Sequence, residues 1–174
     1  MPEAHPLSVL LVEDSPLDAE LVELALRANG FELECECVDS AEAMRVALER
    51  RSWDVIVSDY RLPDFDPMEA LELAHELGED ALFLIVSGTI GEEATVAALT
   101  ADVRSVVLKS NLSELAPAIE RELDDRDTRR GQREAERALR ESEERFRRSD
   151  ADLELPRKII HPDDLPLLEE TIRS

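Results

Sequence analysis

The chain has 174 residues, of which 43% are hydrophobic, so it can bury the core of one domain and still carry an appendage. Its formal net charge of −22 argues against binding to nucleic-acid backbones or anionic membrane surfaces, because both need clustered basic residues. There is no apolar run of membrane-spanning length and no signal peptide at the start, which predicts a cytoplasmic protein.

The first two elements are predicted to be a strand and a helix. The apolar run from Ser8 to Val12 is typical of a short buried strand. Apolar residues at helical spacing then predict a helix from Pro16 to the stop signal Asn29-Gly30. The residues that carry this spacing are Leu17, Leu21, Leu24 and Ala25.

A strand with one buried face follows, because Leu33, Cys35 and Cys37 alternate with three glutamates. The exposed glutamate row suits an edge strand that resists pairing with other chains. The two cysteines would face the same side and could not pair easily, so we interpret them as apolar filling rather than as a metal site.

The later segments repeat the alternation. Ser40 is predicted to cap a helix that ends near Arg50 and turns Ala43, Val46 and Ala47 inward. Further strands are predicted at Val55–Val57, Leu82–Val86 and Val106–Leu108. Further helices are predicted at Met68–Leu77, at Glu92–Ala101 and along Leu112, Leu115, Ile119 and Leu123.

Five strand–helix repeats predict an α/β fold with a parallel sheet between two layers of helices. With the second strand at an edge, the doubly wound flavodoxin-like (βα)5 order 2-1-3-4-5 fits best, followed by a helical extension. In such sheets the functional crevice lies at the carboxyl ends of the strands.

Polar residues stand at these predicted strand ends. Glu13 and Asp14 follow the first strand, Asp59 the third, Ser87 ends the fourth and Lys109 follows the fifth. Three converging carboxylates would repel each other unless a hard divalent cation such as Mg²⁺ neutralised them. A carboxylate beside Mg²⁺ can attack phosphorus, and an ammonium and a hydroxyl can then stabilise the transferred group.

The motifs around these residues resemble those of response regulator receiver domains, in order and in spacing. They are LLVED at 10–14, SDYRLP at 58–63, VSGT at 86–89 and VLK at 107–109. The resemblance implies that Asp59 is the phosphoacceptor and that Mg²⁺ binds Glu13, Asp14, Asp59 and the Arg61 carbonyl. It further implies that Ser87 and Lys109 contact the phosphoryl group. It makes the protein a signalling phosphoacceptor supplied by a histidine kinase, not an enzyme beyond slow self-phosphorylation and self-dephosphorylation.

Three positions depart from the family pattern. Val106 stands where the family usually has an aromatic residue that reports phosphorylation, Ser110 replaces a common proline, and Pro67 stands where a glycine is usual. The phosphorylation chemistry does not need these residues, but the route by which the signal leaves the site does.

The composition changes beyond the receiver-like segment, which we assign to residues 6–124. Residues 125–149 are predicted to be a charged helical linker, with a sparse apolar seam at Ala135, Leu139, Ser142 and Phe146 that could pair two copies. We therefore expect a homodimer through the last receiver helix or the linker. Residues 150–174 resemble an incomplete PAS domain, with its H-P-D-D turn at 161–164, too short to hold a cofactor.

Other classes of protein remain as alternatives. A phosphatase with an aspartyl-phosphate intermediate would normally have a second Asp where Arg61 stands, and a flavodoxin-like nucleotide binder would need a Gly- or Ser/Thr-rich loop after the first strand. A receiver-like interaction or dimerisation module that works without phosphorylation is the main alternative, because the aromatic residue is absent.

Overall fold

The computed structural model of the chain describes residues 5–78, 80–89, 91 and 103–152, with side chains up to residue 149. The chain divides into two compact units after Arg126. The first contains a sheet of five parallel strands in the order β2-β1-β3-β4-β5, which confirms the predicted doubly wound topology. The strands are β1 (His5–Val12), β2 (Phe31–Val38), β3 (Val55–Asp59), β4 (Leu82–Ser87) and β5 (Ser105–Leu108).

The described helices begin where the sequence provides caps. They are α1 (Pro16–Ala28), α2 (Ala41–Arg50), α3 (Pro67–Glu76) and α4 (Leu115–Asp152), and a 3₁₀ turn at Lys109–Glu114 precedes α4. Ser15 and Ser40 accept backbone N–H bonds at the starts of α1 and α2. Asp66 and Glu69 form a capping box at the start of α3, with Pro67 as the first helical residue. The predicted helix at Glu92–Ala101 lies outside the described residues.

The sheet separates two apolar clusters, because successive residues of a strand point to opposite faces. Val9 and Leu11 pack in a cluster with α1 and the start of α4, whereas Leu10 and Val12 pack in a cluster with α2 and α3. Every residue of β3 and β4 is buried, as the central strands of a covered parallel sheet should be.

Two helical faces differ from the prediction. In α1 the buried residues are Ala19, Val22 and Leu26, while the predicted stripe residues Leu17, Leu21 and Leu24 are largely exposed. The helix carries two apolar stripes, and the one with the smaller side chains packs on the sheet. In α2, Met44 is buried with Ala47, and Val46 is more than half exposed.

The edge position predicted for β2 is confirmed. Two of its glutamates pair with arginines at the end of α2: the half-buried Glu36 with Arg50, and the exposed Glu34 with Arg51. The Arg51 guanidinium also stacks over the Trp53 ring, 4.4 Å from its centroid. Charged side chains therefore cover one open edge of the sheet.

Within the described residues, no helix combines the length and apolar character that a bilayer crossing requires.

At the amino ends of the strands, Asp54 connects β1 with β3. Its Oδ2 accepts hydrogen bonds from the Ser8 backbone N–H (3.0 Å) and the Ser8 hydroxyl (2.7 Å). Arg126 of α4 donates to the Asp54 carbonyl at 3.4 Å. This contact fixes the end of the sheet that lies opposite the predicted site.

We expect Asp54→Ala to lower the free energy of unfolding by about 1–2 kcal/mol, because two hydrogen bonds to a charged acceptor are lost. Urea titration followed by fluorescence of Trp53, the only tryptophan, would measure the loss. Asp39→Ala, at an exposed position, is the control and should change stability little. Equal stabilities of the two variants would contradict this role of Asp54.

Candidate functional site

The carboxyl ends of the strands bring the predicted site residues to one edge of the sheet. Strand pairing places Val12 opposite Ser58, Asp59 opposite Val86, and Ser87 opposite Leu108. The loops that leave β1 and β5 therefore begin beside Asp59 and Ser87. Residues that are far apart in sequence meet here because all five strands run in the same direction.

Three carboxylates form the centre of this edge. Glu13, Asp14 and Asp59 each place an oxygen within 4.8 Å of the others. Glu13 and Asp59 are only 4% and 6% exposed, whereas Asp14 is exposed. The group thus has two buried members and one that opens to solvent.

Lys109 contacts two of these carboxylates. Its Nζ lies 3.1 Å from Glu13 Oε2 and 3.0 Å from Asp59 Oδ2. Burial alone would lower the pKa of Lys109, but hydrogen bonds to Asp18, Asp59 and Glu13 outweigh it and raise the pKa above its ordinary value. The ammonium is therefore charged at neutral pH and offsets part of the repulsion between the acids.

Asp18 is a further acidic partner of Lys109 that was not among the predicted site residues. Its Oδ2 lies 2.5 Å from Lys109 Nζ, closer than either Glu13 or Asp59. Its position in the first turn of α1, after the cap Ser15, places it beside the end of β1. The signal that could have identified it is its place as an acidic residue in the first turn of a helix capped by Ser15, directly after the Glu13-Asp14 pair.

Glu13 is held through both of its oxygens. Oε1 accepts the backbone N–H of Ser15 at 3.0 Å, and Oε2 accepts from Lys109. Burial raises the pKa of Glu13, while these two hydrogen bonds act in the opposite direction. The orientation of Glu13 is thus fixed by α1 on one side and by Lys109 on the other.

The Ser87 hydroxyl is buried and points along its own loop. It donates to the Thr89 carbonyl at 2.6 Å and accepts the Thr89 backbone N–H at 3.4 Å. To reach a group bound on Asp59, the hydroxyl would have to exchange the Thr89 carbonyl for a new acceptor.

The remaining predicted positions lie around this centre. Arg61 is exposed in the loop after β3. Val106 is partly buried against the apolar cluster of α2 and α3. The position of the usual aromatic residue therefore holds a smaller aliphatic side chain on that face of the sheet.

The three carboxylates of Glu13, Asp14 and Asp59 fit a hard divalent cation. Their oxygens are close enough to share one ion, and carboxylates are ligands that Mg²⁺ prefers. With Asp18 included, four carboxylates lie at this edge of the sheet and the Lys109 ammonium contacts three of them, so the described site retains negative charge that a cation would neutralise.

Cys35 and Cys37 form no disulfide, as the sequence predicted. Cys35 packs against the apolar cluster of α1, as predicted, but Cys37 is exposed, so its prediction as apolar filling is wrong. The Cys37 thiol lies at the end of the edge strand β2, where it donates to the Glu13 carbonyl at 3.4 Å. Burial raises the pKa of Cys35 to about 12 and also raises that of Cys37, and nearby carboxylates such as Glu23 and Glu13 add to it. Neither thiol is set up as a nucleophile.

Comparisons with a family model and with individual relatives point to the same family. The family described as the response regulator receiver domain matches residues 9–120. The "Probable transcriptional regulatory protein TcrX" of Mycobacterium tuberculosis is 31% identical over 99 residues, which are 57% of this chain and 42% of that protein. The match therefore spans less than half the length of that relative.

Solved structures give the same fold. The response regulator receiver domain protein (CheY-like) of Methanospirillum hungatei is 25% identical with a TM-score of 0.60, over 70% of this chain and 97% of that one. The receiver domain of a sensor histidine kinase from Pseudomonas aeruginosa is 22% identical with a TM-score of 0.56, over 67% and 96%. The latter structure has a magnesium ion coordinated in its active site cleft.

We expect both thiols to react slowly with Ellman's reagent in the folded protein at mildly alkaline pH. Because only the thiolate attacks and the folded-state pKa values are raised, less thiolate is present than in the unfolded chain. The rate should rise with pH and on addition of urea. Equal rates in the folded and unfolded protein would contradict the assignment of these cysteines as unreactive.

Proposed function

The chain belongs to the response regulator receiver family, and we propose that it is a phosphorylation switch whose phosphoacceptor is Asp59. The observation that supports this most directly is the contact of Lys109 with Asp59 and Glu13 across three strand ends. Family membership alone would be compatible with a receiver that has lost its chemistry. The retained acids, hydroxyl and ammonium argue that the chemistry is intact.

We propose that a histidine kinase supplies the phosphoryl group. A carboxylate oxygen of Asp59 attacks the phosphorus of a phosphohistidine, a P–O bond forms as the P–N bond breaks, and the leaving imidazole takes up a proton from solvent. A Mg²⁺ ion held by Glu13, Asp14, Asp59 and the Arg61 carbonyl would neutralise charge on the transferred group when bound. Support for the ion comes from the carboxylate spacing and from the related receiver that holds magnesium.

In this proposal Lys109 and Ser87 recognise the product. The Lys109 ammonium pairs with a phosphoryl oxygen, and the Ser87 hydroxyl exchanges the Thr89 carbonyl for another phosphoryl oxygen. Both movements require existing contacts to break, so phosphorylation would shift the population between two arrangements of the loops after β4 and β5.

The exposed leucines of α1 provide a contact surface for the kinase. Leu17, Leu21 and Leu24 are 66%, 46% and 55% exposed and recur at helical spacing. The same helix begins at the site, since Asp18 in its first turn contacts Lys109. An apolar stripe of this kind suits a helical partner that brings a phosphohistidine to Asp59.

The phosphorylation-independent interaction module remains the second candidate. The observation that favours it is Val106, which cannot act as the aromatic reporter of the family. The phosphatase alternative gains no support from the structure, since Arg61 occupies the position of the second acid and is exposed.

We further propose that residues 125–149 act as a linker between the receiver domain at 6–124 and the PAS-like tail at 150–174, in a cytoplasmic protein. Most of the tail lies outside the described residues. In the linker, Leu139 and Phe146 are 61% and 69% exposed on one continuous helix, α4. A second copy that pairs along Ala135, Leu139, Ser142 and Phe146 would cover them.

Incubation with acetyl phosphate and Mg²⁺ should add one phosphoryl group to the wild-type chain, measured as intact mass. Asp59→Asn should abolish the adduct because the nucleophile is removed, and omission of Mg²⁺ should abolish it as well. Asp14→Asn should raise the Mg²⁺ concentration needed for uptake, because one ligand of the ion is lost. Asp39→Asn removes a nearby exposed carboxylate outside the cluster and serves as the control.

An adduct that persists in Asp59→Asn would overturn the assignment of the phosphoacceptor. Binding of Mg²⁺ to the wild type without any adduct would favour the phosphorylation-independent module.

Replacing both Leu139 and Phe146 by Gln should convert a dimer to a monomer, because the apolar seam is lost. Light scattering after size exclusion, at several protein concentrations, would measure the mass. The double variant Arg140→Gln, Glu144→Gln keeps the net charge and lies off the seam, so it should remain dimeric. Loss of the dimer in both variants, or in neither, would exclude the seam as the contact.

A further inference from the structure

The shortest contact at the site involves a residue that the phosphorylation chemistry does not explain. Lys109 Nζ lies 2.5 Å from Asp18 Oδ2, compared with 3.0 Å to Asp59 and 3.1 Å to Glu13. The Asp18 side chain is 32% exposed, whereas those of Asp59 and Glu13 are 7% and 3% exposed. Lys109 thus has two buried partners and one at the solvent-facing rim of the site.

Asp18 is held in place by the same cap that orients Glu13. The backbone N–H of Asp18 donates to Ser15 Oγ at 3.3 Å, and the backbone N–H of Ser15 donates to Glu13 Oε1 at 3.0 Å. Together with the bonds from Lys109 to Asp18 and Glu13, these contacts close a ring. The position of the Lys109 ammonium is therefore set jointly by α1 and the end of β1.

The three partners of Lys109 differ in what else they can bind. Glu13 and Asp59 belong to the carboxylate group that can share a cation, and Asp18 is outside it. A cation on Glu13 and Asp59, or a phosphoryl group on Asp59, would draw those oxygens away from Lys109. Asp18 would then be the one of the three that remains available, and an ammonium has three N–H donors to share.

Building on the proposed function, we propose that Asp18 is a positioning residue that anchors the Lys109 ammonium while the cation and the phosphoryl group occupy the other two partners. With this anchor, Lys109 keeps one donor on Asp18 and directs another to the phosphoryl oxygen. Without it, the four-carbon side chain of Lys109 is more mobile, so ordering it against the phosphoryl oxygen costs more conformational entropy.

A purely electrostatic role predicts the opposite effect. Asp18 adds negative charge near an anionic phosphodonor, so simple removal of that charge would speed phosphorylation. Anchoring predicts that its removal slows phosphorylation. Glu20 lies on the same helix, is exposed and is not among the partners of Lys109, so Glu20→Gln removes an equal charge without removing the anchor.

The first measurement is an NMR spectrum of the lysine ammonium groups. The chain has only two lysines, Lys109 and Lys158, so the Lys109 signal can be assigned by Lys158→Arg. With Mg²⁺ and beryllofluoride as the phosphoryl mimic, we expect a slowly exchanging Lys109 ammonium signal in wild type and in Glu20→Gln. In Asp18→Asn the signal should broaden or disappear, and Asp18→Glu should restore it in part.

The second measurement is the rate of phosphoryl uptake from acetyl phosphate. We expect Asp18→Asn to be slower by about tenfold, the effect of one charge-assisted hydrogen bond. Glu20→Gln should match or exceed the wild type. In a Lys109→Met background, Asp18→Asn should cause no further loss, because the residue acts through Lys109. Circular dichroism would check that each variant is folded.

Each result separates this inference from the proposed function. If Asp18→Asn keeps the ammonium signal and the wild-type rate while Asp59→Asn abolishes uptake, the anchor is wrong and the switch stands. If the wild type takes up no phosphoryl group, the proposed function fails, and the ammonium spectrum with Mg²⁺ alone still decides whether Asp18 holds Lys109. A rate increase in Asp18→Asn would assign Asp18 a repulsive role and overturn the proposal.

Discussion

The contact of one ammonium with several carboxylates is the interaction on which this site depends. Parallel strands end at the same edge, so the fold itself gathers Glu13, Asp14 and Asp59 within a few ångströms. Like charges at that distance would oppose folding, and burial of Glu13 and Asp59 increases the penalty. Lys109 offsets this repulsion only in part, which leaves the residual negative charge that makes a cation a natural partner.

The two apolar clusters provide the rigid support that such a site needs. The buried strands β3 and β4 contribute alternate residues to both faces, so the backbone that carries Asp59 and Ser87 is packed from either side. The groups that must move in our proposal are the side chains of Ser87 and Lys109, at the ends of β4 and β5, and the loops that follow them. Functional residues commonly lie on loops that a rigid scaffold positions, so that they can move while the scaffold keeps its geometry.

The sheet order and the strand-end residues could be predicted from sequence because they rest on short-range patterns. Apolar runs, caps at Ser15 and Ser40, and the alternation in β2 each have a local physical cause. The buried face of α1 could not be predicted in the same way, because Leu17 and Leu21 compete with Ala19 and Val22 for the core and only the sheet surface decides between them. Asp18 was missed for a related reason: its partner lies 91 positions along the chain.

The 3₁₀ turn at Lys109–Glu114 has a mechanical consequence. Lys109 supplies the ammonium that contacts the carboxylates, and it is also the first residue of the turn that leads directly into α4 at Leu115. In our proposal, a shift of the Lys109 side chain would be passed through this turn to the first residues of α4. Val106 packs on one face of the sheet and the start of α4 packs on the other. An aromatic side chain at position 106 would therefore be coupled to α4 less directly than the 3₁₀ turn that joins Lys109 to the helix.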